Sequence, residues 1–200
     1  KNINKSLLKQ NIILYNELDK IDFDTTAEWY QEHILVKAAF PVDINADKAT
    51  YEIQFGSVER PTHTNTSWDA AKFETCAHKW VDMADNNYGV ALLNDCKYGY
   101  STEGNTIKLT MIKCGTYPNA EADIGNHKFT YSLMGHVGNF RDAGVINEAY
   151  ALNQPMYATE IAKHDGNLND NFSLVSSDKN NVIVEAVKKE ENGNGMIVRM

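Results

Sequence analysis

Ile21-Asp22-Phe23-Asp24-Thr25-Thr26-Ala27-Glu28-Trp29 is the stretch on which the fold reading turns. Ile21, Phe23, Thr25, Ala27 and Trp29 share one side, and Asp22, Asp24, Thr26 and Glu28 share the other. Successive side chains of an extended strand face opposite sides of a sheet, so a period of two is what a half-buried antiparallel strand requires. The same alternation recurs in both directions along the chain. Tyr51, Ile53 and Phe55 alternate with Glu52 and Gln54, and Ile107, Leu109 and Met111 with Lys108 and Thr110. Phe129, Tyr131 and Leu133 alternate with Lys128, Thr130 and Ser132, and residues 182–187 do so less cleanly. Residues 7–15 and the closing 196–200 are also strand-like. Residues 36–42 are nearly continuous apolar, which predicts a strand covered on both faces.

Turn chemistry separates these runs. Residues 45–47, 103–105, 117–119 and 165–167 are polar breaks, most of them carrying Gly or Pro. Many short strands with turns between them predict a mainly β fold, an antiparallel β-sandwich. Helical signal is scarce: residues 69–76 predict one short helix, and residues 145–152 another that ends before Pro155. The Asn-, Asp- and Gly-rich stretch 164–171 is the most linker-like. The expected organisation is therefore a β-sandwich domain over 1–163, incomplete at its N-terminus, followed by the start of a small C-terminal β domain over 164–200. The apolar strand at the very end, and a start on Lys rather than Met, read as an excerpt of a longer polypeptide.

Composition narrows the function classes. The chain has 200 residues, 42% hydrophobic and 23% charged, which is ordinary for a globular protein. Its net charge of −8 argues against nucleic acid, whose binding depends on clustered Lys and Arg. No apolar run approaches the ~20 residues that span a bilayer, and residues 1–9 do not form a signal peptide, so no membrane partner is expected. Three cysteines, Cys76, Cys96 and Cys114, fit neither a disulfide framework nor a thiolate zinc site, and point to a cytoplasmic location. Sequons occur at Asn4, Asn65 and Asn171, a pattern that arises often by chance. The histidines lack the spacing of a metal-binding helix, and no nucleophile elbow or phosphate loop is present. Carboxylates are abundant, but glycosidases need two at working distance, and abundance is not a pair.

Two polar-aromatic clusters stand out. His63-Thr64-Asn65-Thr66-Ser67-Trp68-Asp69 reads either as the lining of a sugar site, with Trp68 stacking on a sugar face, or as a capped loop before a helix. Leu93-Asn94-Asp95-Cys96-Lys97-Tyr98-Gly99-Tyr100 follows a strand. It reads either as a loop presenting Asn94, Asp95, Lys97 and Tyr98 to a ligand or as a β-hairpin with solvated charges.

Several segments resemble the region downstream of the catalytic domain in glycoside hydrolase family 38 α-mannosidases, particularly the bacterial and cytosolic branch. They include Lys37-Ala38-Ala39-Phe40-Pro41-Val42-Asp43, Gln54-Phe55-Gly56-Ser57-Val58-Glu59-Arg60-Pro61-Thr62-His63 and Asn65-Thr66-Ser67-Trp68-Asp69. Further ones are Ala77-His78-Lys79-Trp80, Gly89-Val90-Ala91-Leu92-Leu93-Asn94-Asp95 with Lys97-Tyr98-Gly99, and Ala149-Tyr150-Ala151-Leu152-Asn153. The resemblance implies a galactose-mutarotase-like sandwich and a retaining enzyme hydrolysing α-linked mannosides. Its zinc, Asp nucleophile and acid would all lie in a catalytic domain absent from this chain. No cofactor and no catalytic residue is therefore expected here. The implied partners are the catalytic domain of the same polypeptide, the α-mannoside substrate and further copies in a homo-oligomer. Asn94, Asp95, Lys97 and Tyr98, with His63 and Asp69, are the residues the resemblance offers for walling the sugar site. Where secretory members carry a substrate-contacting Arg, this chain has Lys113-Cys114, and Lys is not an equivalent bidentate donor. An autonomous carbohydrate-binding module is the competing expectation.

Overall fold

The computed structural model describes residues 2–85, 87–167 and 169–200. They divide into a first unit that runs to Tyr157 and a second, Ala158–Met200. The first unit is built on two antiparallel sheets. The larger has the order β1 (Asn2–Ile3), β2 (Ser6–Leu14), β3 (Lys20–Trp29), β12 (Gly125–Val137), β9 (Tyr88–Asn94), β8 (Trp80–Ala84), β5 (Lys48–Ile53) and β6 (Gly56–Pro61). The smaller has the order β4 (Leu35–Pro41), β11 (Thr106–Lys113), β10 (Gly99–Glu103) and β7 (Thr75–Cys76). Two helices, α1 (Ser67–Ala71) and α2 (Val145–Asn153), complete it. In the second unit β13 (Ala186–Lys189) and β14 (Met196–Arg199) form an antiparallel hairpin.

The period-two reading of β3 explains the core. Its Ala27 and Trp29 are buried with Val81, Met83, Val90, Leu92, Phe129 and Tyr131 of the large sheet and Ala38, Tyr100, Ile107 and Leu109 of the small one. That cluster is the interior between the two sheets. Neighbours of opposite parity, Trp80, Ala91, Leu93 and Met134, pack on the other face against Phe140 and the Val145 and Ala149 side of α2. The layers are thus helix, large sheet, small sheet, and β9 is buried on both faces.

Several expectations need correction. Residues 36–42 do not make a doubly covered strand: β4 lies at the edge of the small sheet, with Leu35, Ala39 and Pro41 exposed. Phe55 does not continue β5. The strand stops at Ile53, and Phe55 sits in the β5–β6 turn with φ of 54° and 77% exposure. The first helix starts at Ser67 rather than residue 69. The irregular 182–185 segment precedes the strand expected to begin at Val182.

Polar groups are also buried on the helix-facing side of the large sheet. The Ser132 hydroxyl donates to one Asp22 oxygen at 2.5 Å and the Tyr15 hydroxyl donates to the other at 2.9 Å, while Lys20 reaches Glu148 of α2 at 3.1 Å. His136 Nε2 meets Asp82 at 2.7 Å, and its Nδ1 is sealed without a partner. Gly89 is required beside it, because a Cβ there would fall on the His136 ring. Burial by itself would lower the His136 pKa. The hydrogen bond and charge of Asp82 outweigh it, so the group stands above its ordinary value. A raised folded-state pKa stabilises the fold fully below the unfolded value and loses that contribution as pH rises through the folded one. Paired melts of the parent and His136→Gln at pH 5.5 to 8.5 check this: the parent's advantage shrinks as pH rises. A constant gap would remove the charge from the account.

Candidate functional site

β9 belongs to the large sheet and β10 to the small one, so residues 94–98 form a crossing between layers, not the turn of a hairpin. Asn94 is fully buried. Its amide donates to the His78 carbonyl at 2.7 Å and the Tyr100 hydroxyl at 2.6 Å, and its side-chain oxygen accepts from Lys97 N–H at 2.6 Å. That last bond closes the turn, as Asn side chains do in tight loops. The Asn94 carbonyl in turn accepts from Asn153 at the end of α2, at 2.8 Å. Asp95 accepts from the Thr130 N–H at 2.8 Å through one oxygen, and its other oxygen is sealed and unpartnered.

Lys97 places its ammonium 4.6 Å from the centroid of the Phe129 ring. Tyr98 is 52% exposed, with its ring 5.8 Å from that of His78. The crossing therefore anchors Asn94 and Asp95 inside the protein and presents Tyr98, with Lys97 beside it, at the surface. Desolvation, and then the Asp95 carboxylate, push the Cys96 thiol up to about 12, so it is a poor nucleophile at neutral pH. Tyr100 and Asn153, which order the loop, were not singled out in the sequence. Asn153 could have been found, since it closes one of the motifs that carry the resemblance.

The second cluster is a capped helix start. Thr66 accepts from the Asp69 N–H at 3.1 Å, and Asp69 accepts from the Thr66 N–H at 3.2 Å and hydroxyl at 2.7 Å. This reciprocal pair is a capping box, although Asp here stands where Glu or Gln is usual. The Thr66 hydroxyl holds the Asp69 carboxyl below the usual carboxylate range. His63 Nδ1 lies 3.8 Å from Asp69. Trp68 and Phe73 are 80% and 79% exposed. The structure brings His63 to Asp69, and Asn94 to Asp95, Lys97 and Tyr98, but it keeps the two groups apart. The crossing loop enters β10 at Gly99, whereas His63 and Asp69 share a pocket with Ser101, Thr102 and Glu103 at its far end.

Among the described residues no three His, Cys, Asp or Glu side chains come close enough to hold a metal ion. The tightest pair, His136 with Asp82, lacks the third protein ligand that a zinc site requires. The donor set of the described residues does not fit zinc. No helix among the described residues is long and apolar enough to cross a membrane.

Fold and site together define a two-sheet antiparallel β-sandwich in which a loop crossing between the sheets presents a tyrosine and a lysine. Residues 1–121 match the family model described as glycosyl hydrolases family 38 C-terminal domain, and the chain belongs to that family. It is 42% identical over 194 residues to alpha-mannosidase G of Dictyostelium discoideum, covering 96% of this chain and 18% of that protein. It is 44% identical over 186 residues to alpha-mannosidase 2C1 of Homo sapiens, covering 93% and 18%. A Saccharomyces cerevisiae alpha-mannosidase is 39% identical over 190 residues, 94% of this chain and 17% of that one. The chain thus spans less than a fifth of the length of these curated relatives. The crystal structure of an alpha-mannosidase from Enterococcus faecalis V583 superposes with a TM-score of 0.83 at 22% identity, over 96% of this chain and 23% of that one. At that identity the likeness concerns the fold.

Proposed function

We propose that this chain is the non-catalytic β-sandwich of an α-mannosidase that hydrolyses α-linked mannosides. In this reading it buttresses the catalytic domain of the same polypeptide, and its crossing loop helps to wall the sugar site. The observation that carries the reading is the 42% and 44% identity, over nearly the whole chain, to proteins named alpha-mannosidase. A retaining glycosidase needs two carboxylates flanking the scissile bond. These, with zinc as the ion that grips sugar hydroxyls, are assigned to the catalytic domain. Tyr98 and Lys97 meet the substrate side, Asn94 and Asp95 hold them there, and His63 with Asp69 forms a more remote wall. The free Cys76 and Cys96 on the surface support a cytoplasmic setting, and packing between copies is part of the proposal.

Kinetics on the natural polypeptide containing this segment provide the test. Tyr98→Ala is expected to lower kcat/KM for an aryl α-mannoside roughly tenfold, mainly through KM, with little change in melting temperature because Tyr98 is half exposed. Unchanged kinetics would remove the loop from the sugar site. The 200-residue chain alone is expected to turn over none of this substrate, with or without added zinc, and zinc-dependent turnover by it would overturn the division of labour. A second reading, an autonomous carbohydrate-binding module, draws on the exposed Trp68 and Phe73. Saturable mannose binding by the 200-residue chain, lost in Trp68→Ala, would favour it.

A further inference from the structure

Arg60 stands on edge strand β6 opposite Ala49, and so on the face of the large sheet that looks toward the small one. Its guanidinium lies 4.4 Å from the centroid of the Tyr51 ring, and its Nη1 is sealed from solvent with no acceptor. A charged N–H held away from water without an acceptor is unfavourable, so Arg60 is not a fully satisfied structural charge.

Arg60 lines a pocket of about 260 Å³. The pocket forms because β7 pairs only with Gly99 and Tyr100, which leaves residues 101–103 of β10 as an open edge. The hydroxyls of Tyr51 and Thr102, 2.9 Å apart, lie on its floor, and the exposed Phe73 forms an apolar side. Four cationic side chains line it. Lys37 is paired with Glu74, and Lys108 with Glu103 at 2.8 Å. Arg60 makes no ion pair among the described residues. Neither does Lys72, although its charge reaches Asp69, whose carboxylate is already engaged by Thr66.

We infer that this pocket between β6, β10 and the segment 62–73 binds the oxyanion group of a small ligand, a carboxylate or a phosphate, with Arg60 as the principal donor and Lys72 as the second charge. With Nη1 sealed and the Tyr51 ring 4.4 Å from the guanidinium carbon, an oxyanion would meet the Nε and Nη2 edge, a pair of donors that matches both oxyanions bidentately. A volume just under the range of drug-sized pockets, ~300–1,000 Å³, suits a small anionic group. The pocket shares His63 and Asp69 with the mannosidase reading, but anion binding by Arg60 and Lys72 needs no catalytic domain and can be tested without it.

The full 200-residue chain is titrated with inorganic phosphate and, separately, with acetate, each against chloride at constant ionic strength. The probes are calorimetry and amide chemical shifts. Saturable binding in the millimolar range is expected for at least one, and the stronger of the two names the ligand group. Arg60→Gln is expected to weaken that binding roughly tenfold or more, Lys72→Gln severalfold, and Arg60→Lys, which keeps the charge without the fork, to an intermediate degree. Absence of saturation by either anion would overturn the inference. So would equal affinity in Arg60→Gln, which would leave Arg60 as an inward-pointing charge that protects an edge strand from pairing. If Arg60→Gln does not fold, the exposed Lys72→Gln decides: unchanged affinity overturns the inference, and weakened affinity supports it.

Discussion

Trp80→Ala is expected to destabilise the first unit by about 3–5 kcal/mol and to lower its melting temperature by roughly 6–20 °C. Trp80 is buried on the helix-facing side of the large sheet. Its ring lies 4.7 Å from that of Phe140 and packs with Leu93, Met134, Val145 and Ala149. It is the largest side chain beneath α2, and truncation leaves a cavity that a helix held mainly by this cluster cannot close. Trp80→Phe separates packing from polarity. The indole N–H is buried without an acceptor, so the smaller ring loses volume but also removes an orphaned donor. It is expected to cost less than half as much as the alanine variant. Denaturant melts of the two variants supply the comparison, and equal losses would mean that the indole N–H is partnered after all.

Asn94→Ala is the second large effect, about 3 kcal/mol from two orphaned groups and a Tyr100 hydroxyl left with only the Leu92 carbonyl, and a fall of roughly 6–12 °C in melting temperature. The His78 carbonyl, the Tyr100 hydroxyl and the Lys97 N–H all lose the partner that Asn94 supplies in the interior. Asn94→Asp keeps the acceptor for Lys97 and lets the Tyr100 hydroxyl donate instead of accept, but it sets a buried carboxylate against the His78 carbonyl, so it is expected to be no better than alanine. Under the proposed role of the crossing loop, both changes in the longer polypeptide are also expected to lower kcat/KM, because Lys97 and Tyr98 hang from the turn that Asn94 closes. A melting temperature within 2 °C of the parent would show that water satisfies these groups.

Particular residues show how far the sequence could be read. The alternation of Phe23, Thr25, Ala27 and Trp29 assigns one face of β3 to the core, and Ala27 and Trp29 are buried as that pattern demands. Asp22 has the parity of a solvent-facing residue, yet it is buried, because Ser132 and Tyr15 bond to it on the helix-facing side of the sheet. That partnership spans 110 residues between Asp22 and Ser132, and no local pattern encodes it. The two polar-aromatic clusters were legible as clusters. Their roles were not: a hairpin turn and a crossing between sheets have the same composition, and only strand order tells them apart. Arg60 carried no signal, since an edge-strand arginine in a run of polar residues reads as a solvated charge.

Period-two patterning, turn chemistry and the charge balance by themselves determined that this chain is an antiparallel β-sandwich with two short helices, and its motifs carried the family. Those properties depend on neighbours within a few residues, where side-chain direction and backbone preference act. Long-range strand pairing alone decided which faces are covered by α2 or by the other sheet, that Asn94 supports the crossing loop from within, and that Arg60 is left without an acceptor at an open sheet edge. Burial and hydrogen-bond partnership are set by segments far apart in the chain, so they exist only once the sheets have closed on each other.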